Sequence, residues 1–110
     1  MGRPLIGDVI VIPFPFADLT GYKRRPAVVI GYGEHAEDVI LCQITSKQYA
    51  SESIPLLATD FESGGLPGAS FVRPLKVFTG SADLLERTAG RVTPSTLTAI
   101  RQRLIHRLAD

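Results

Sequence analysis

Two short apolar runs, residues 9–14 and 27–30, stand on either side of a polar stretch that ends in Lys23, Arg24, Arg25 and Pro26. That layout constrains the fold more than any other feature. Both runs are rich in β-branched residues and too short for a helix, so each reads as a strand covered on both faces. Pro13 and Pro15 add that the first strand ends there or runs at a sheet edge, because proline offers no N–H to a ladder. Three consecutive cations between two such strands do not suit a core; they suit an anion such as a phosphate. Pro26 pushes the residue before it out of the α region, so Arg25 should leave the loop in a defined, extended direction.

The rest of the chain continues in short segments. Residues 25–32 form the second strand and residues 38–45 the third, joined as a hairpin by the polar turn 31–38. In the third strand Val39, Leu41 and Gln43 face one way, and Ile40, Cys42 and Ile44 the other. Residues 53–57, 69–73, 75–79 and 89–92 are further strand candidates. Residues 62–68, with three glycines and a proline, read as a flexible loop, and residues 81–87 as one helical turn. The end of the chain is a helix: Thr93 is a good N-cap, Pro94 fits the first helical position, and Leu97, Ile100, Leu104, Ile105 and Leu108 recur at helical spacing. Arg101, Arg103 and Arg107 fall mostly off that stripe and read as a solvated face. Many short strands closed by one helix predict a mainly β fold, a small β-barrel with a C-terminal α-helix, as a single domain over residues 1–110.

Bulk properties narrow the function. A chain of 110 residues can bury one core. Its net charge of +1 gives little long-range pull on nucleic acid, so any RNA binding must come from local clustering. Cys42, the one cysteine, sits in an apolar run and reads as a small buried hydrophobe. His35 and His106 stand far apart, and no Cys/His cluster has metal-ligand spacing; neither a metal nor another cofactor is expected. The first residues do not form a secretory signal, and nothing reaches the length of a membrane span. A cytoplasmic protein without a membrane partner is the expectation.

Larger motifs then fall in order along the chain. Gly7-Asp8 precedes the first apolar run and Pro13-Phe14; Lys23-Arg24-Arg25-Pro26-Ala27-Val28-Val29-Ile30 follows. Next come Gln43-Ile44-Thr45-Ser46, Ser70-Phe71-Val72-Arg73, and Gly90-Arg91-Val92 before the helix. This series resembles the MazF/PemK family of toxin endoribonucleases over nearly the whole chain. The resemblance implies an SH3-like barrel of the CcdB/Kid/MazF type and a homodimer with its groove near the interface. It also implies a cognate antitoxin, with which such toxins bind DNA in autoregulation. The implied activity is sequence-specific, metal-independent cleavage of single-stranded RNA that leaves 2′,3′-cyclic phosphate and 5′-hydroxyl ends.

Such cleavage must remove the ribose 2′ proton, stabilise the phosphorane charge and protonate the leaving 5′-oxygen. Arginine suits the second task through its planar, permanently charged fork. By resemblance Arg25 is the catalytic arginine, Thr45 the active-site threonine, and Arg73 a further catalytic arginine. On the residues alone, the Thr45 hydroxyl at a strand end can bind a phosphate oxygen or cap the local turn. Lys23, Arg24, Ser46, Ser70 and Tyr22 are the expected RNA contacts, with Lys23 and Arg24 equally able to contact an antitoxin. Phe14, Phe16 and Tyr22 flank the cations and could stack bases, although Phe14 suits the core better. Two family features are missing: the carboxylate two residues after Arg73 is Leu75 here, and residues 18–22 hold no histidine. Asp18 could replace a base but suits a turn. A gyrase-binding toxin of the CcdB kind depends on a C-terminal tryptophan, and this sequence has none. A barrel that binds RNA or a partner without cutting is the remaining alternative.

Overall fold

The computed structural model describes residues 3–15, 22–47 and 52–110. Seven strands form one antiparallel sheet: β1 (Asp8–Pro15), β2 (Tyr22–Tyr32), β3 (Asp38–Thr45), β4 (Ile54–Leu56), β5 (Phe61–Gly64), β6 (Ser70–Ser81) and β7 (Arg87–Val92), followed by α1 (Pro94–Ala109). Their order across the sheet is β4-β6-β3-β2-β1-β7-β5, curled into a nearly closed barrel. The mainly β fold with one C-terminal helix is the one expected.

The three central strands explain their unbroken apolar sequences, since each is covered on both faces. Val9, Val28, Ile30, Cys42, Ile44, Val72 and Val92 share one cluster, onto which α1 lays Ile100, Leu97 and Leu104. Ile10, Ile12, Ala27, Val29, Val39 and Leu41 make the second cluster on the opposite face. The alternation expected along β3 is present, because Val39 and Leu41 belong to one cluster and Cys42 and Ile44 to the other.

Prolines mark where pairing changes. β7 pairs with β1 only along Asp8–Val11, so Pro13 lies where β1 has β2 alone as neighbour. Pairing of β2 with β3 begins at Ala27, immediately after Pro26. Pro74 falls in an irregular stretch, where β3 skips from Cys42 opposite Val77 to Ile44 opposite Val72. The irregularity absorbs the missing N–H. The Pro74 carbonyl accepts from the Cys42 thiol at 3.7 Å. Residues 69–73 and 75–79, expected as two strands, are therefore one strand, β6.

Three other expectations need correction. Lys23 and Arg24 are not loop residues: the second strand, expected from residue 25, begins at Tyr22, and Lys23, Arg24 and Arg25 pair with Phe14, Pro13 and Ile12 of β1. Part of the glycine-rich loop is strand β5, paired with β7. Gly64 there takes φ +65°, and a Cβ on it would collide with the Ala89 carbonyl, so glycine permits this close crossing. Of the α1 arginines, Arg103 and Arg107 are exposed, as a solvated face requires, whereas Arg101 is half-buried and serves as an anchor. Arg101 donates to the Ile30 carbonyl from Nε at 2.9 Å and Nη2 at 2.6 Å, and Arg107 pairs with Glu52 at 3.1 Å. Arg103 also reaches Glu52, at 3.6 Å. The turn expected in 81–87 is a short 3-10 segment, Ala82–Leu84.

Candidate functional site

At the start of β2 and the end of β3, the barrel opens into a groove of about 470 Å³. Its polar lining is Arg24, Arg25, Arg87, Thr45, Ser46, Ser70 and Glu86; Val11, Pro26, Ile44, Leu66, Pro67 and Ala69 give the apolar part. Five of the residues expected from sequence are thus brought together from three strands and the turn after β3.

Register explains the convergence. Ala27 pairs with Gln43. The ladder ends there, and Arg25 and Thr45, two residues further along their strands, both line the groove beyond it. Thr45 in turn pairs with Phe71, which places Ser70 at the same end of the barrel. Thr45 is buried, and its Oγ1 accepts from the Lys47 backbone N–H at 3.2 Å. The hydroxyl therefore caps the turn and still has its own proton to donate, so the two readings of this residue are compatible. Ser46 is exposed and Ser70 buried.

The cations are held differently. Arg25 is half-buried in the wall, beside Pro26. Arg24 is 71% exposed, and its Nε bonds both carboxylate oxygens of Glu86, at 2.5 and 2.7 Å. The reach is 62 residues along the chain, and no local pattern announces it. Glu86 and Arg87 are the site residues that sequence reading missed, having been taken as the end of a helical turn.

Not every expected residue joins. Arg73 is half-buried and partnered, one residue beyond Val72 on β6, and does not line this groove. The side chains of Tyr22 and Lys23, and residues Phe16 and Asp18, lie outside the described part of the structure. Phe14 packs edge-on against Phe78 with ring centroids 4.5 Å apart and lines a separate surface trough, outside both core clusters. His35 and His106 are exposed. Cys42 is fully buried, and burial pushes its thiol up to about 12. No group of three or more potential metal-binding side chains occurs among the described residues.

The sequence profile of the PemK-like, MazF-like toxins of type II toxin–antitoxin systems matches residues 6–108. The chain belongs to this toxin family. No curated protein sequence matches it. Among solved structures, an endoribonuclease from a mycobacterial species superposes with a TM-score of 0.74 at 21% identity, covering 99% of this chain and 94% of the other. A mycobacterial endoribonuclease in complex with its cognate antitoxin gives 0.74 at 23%, covering 99% and 96%. A MazE–MazF complex from Deinococcus radiodurans gives 0.72 at 19%, covering 96% of each. At these identities the likeness establishes that the toxin barrel is shared.

Proposed function

We propose that this toxin is an endoribonuclease that cuts single-stranded RNA at the groove without a metal, leaving 2′,3′-cyclic phosphate and 5′-hydroxyl ends. The observation that carries the reading is the convergence of Arg25, Thr45, Ser46 and Ser70 on one opening, with Arg24 at its rim. Arg25, fixed in the wall, supplies the fork that stabilises the phosphorane. Thr45 donates its hydroxyl proton to a phosphate oxygen, and Ser46, Ser70 and Arg24 hold the backbone. Leu66 and Pro67, from the connection before β6, give the groove its shape, so sequence preference rests partly on that loop.

Family membership and the antitoxin-bound relatives support neutralisation by a partner protein. An acidic antitoxin segment would compete with RNA for Arg24 and Arg25. The test of activity is a labelled single-stranded RNA incubated with purified protein in excess EDTA. Cleavage is expected, with cyclic phosphate at the new 3′ ends, and DNA of the same sequence should survive for want of a 2′-hydroxyl. Cleavage that appears only with added magnesium would overturn this reading.

A further inference from the structure

Removing the 2′ proton is the step for which most of the groove is unsuited. Arginine keeps its proton to above pH ~12, and threonine and serine hydroxyls are better donors than bases. Among the described lining residues, one side chain offers acceptor atoms and has no proton to lose: the Glu86 carboxylate.

Its placement suits it to that work. The Glu86 backbone N–H donates to the Val11 carbonyl at 3.0 Å, which pins the main chain beside β1. Val11 pairs on its other side with Pro26, the neighbour of Arg25. Glu86 and Arg25 therefore approach the same strip of β1 from opposite flanks, about 10 Å apart at the backbone, two strand spacings. Both residues line the same groove. Arg24 crosses β1 to grip both carboxylate oxygens, which fixes their orientation while leaving each oxygen a further lone pair. At 34% exposure the Glu86 side chain is open to a substrate hydroxyl.

We propose that Glu86 is the general base of RNA cleavage, an assignment that rests on the endoribonuclease reading above. The carboxylate takes the proton of the ribose 2′-hydroxyl as the 2′-oxygen bonds to phosphorus. The bond from phosphorus to the 5′-oxygen breaks, and that oxygen takes a proton from solvent water. The protonated Glu86 then returns its proton to the hydroxide so formed, and the products are the cyclic phosphate and the 5′-hydroxyl. Nothing is oxidised or reduced. Arg24 is a positioning residue for the base as well as a phosphate contact.

The experiment compares wild type, Glu86→Gln, Arg24→Ala and the double variant, in EDTA with RNA at saturating protein. Glu86→Gln should lower the single-turnover cleavage rate at least ~100-fold, the usual scale for a general base. Affinity for a non-cleavable 2′-O-methyl analogue should hold or tighten, because a negative charge has left a phosphate-binding groove. If Arg24 positions the base, Glu86→Gln should cost less in the Arg24→Ala background than in wild type, because the two residues in contact act as a unit. A Glu86→Gln protein that cuts within a few-fold of wild type or faster would overturn the assignment, and fully additive losses in the double variant would overturn the positioning role of Arg24. Equal melting temperatures for Glu86→Gln and wild type exclude misfolding as the cause of a loss. Wild-type protein that leaves RNA intact would refute the endoribonuclease reading itself, a result separate from the failure of Glu86.

Discussion

Arg25 owes its position to the residues on either side of it. Pro26 holds it extended and releases β2 from β3 at the point where the groove opens. That much was legible, since the effect of a proline on its predecessor is local. Glu86 was not legible, because its meeting with Arg24 depends on how two distant strands flank β1, and no spacing encodes that. Cys42 shows what sequence does convey about a buried residue: it is enclosed by apolar neighbours, as its surroundings in the chain indicate. Burial raises its thiol from 9.0 to about 12 in the folded protein. Between those values the unfolded chain sheds the proton while the native chain keeps it, so this contribution to stability is intact below pH 9 and is lost toward pH 12. The expected slope is about 1.4 kcal/mol per pH unit within that window. Urea unfolding at pH 8 to 11 measures it, and Cys42→Val should lose that part of the slope. An identical slope in both proteins would contradict the burial argument.

At the scale of elements, strands were recognised more surely than their limits. Apolar runs in β1, β2 and β3 are long enough to declare themselves. β5 is not, since Glu62, Ser63 and Gly64 carry no alternation, and it exists because β7 offers an edge that glycine can approach. β6 was divided at Pro74 because a proline ordinarily stops a ladder, whereas here the irregular pairing of β3 accommodates it. The helix was read correctly in its extent and, among its arginines, wrongly only at Arg101. β2 has an irregularity between Val29 and Gly31, and the Ile30 carbonyl there is taken by Arg101 of α1. Removing the guanidinium leaves that carbonyl unpaired beneath the helix. Arg101→Met should thus destabilise the protein by about 1–3 kcal/mol, while RNA cleavage under native conditions persists. Denaturant unfolding reads the first effect, and an unchanged midpoint would show that the anchor is dispensable.

For the whole molecule, a second surface besides the groove remains to be explained. Leu75 at 45%, Val77 at 38% and Leu84 at 56% exposure border a trough of about 580 Å³ that also includes Phe14 and Phe78. This face is one uncovered apolar surface on which a homodimer would form, beside Ile105 and Leu108 of α1. Val77→Asp should convert a dimer to a monomer in sedimentation at micromolar concentration, and wild-type protein that sediments only as a monomer would contradict it. The central claim is that Arg25, held in the wall of the groove, stabilises the transition state of RNA cleavage. Its most direct test is single-turnover cleavage of labelled RNA in EDTA by wild type, Arg25→Ala and Arg25→Lys. The alanine variant should fold normally and lose at least ~100-fold in rate. The lysine variant should also be substantially impaired, since a point charge lacks the bidentate fork. Full activity in Arg25→Ala would contradict the account.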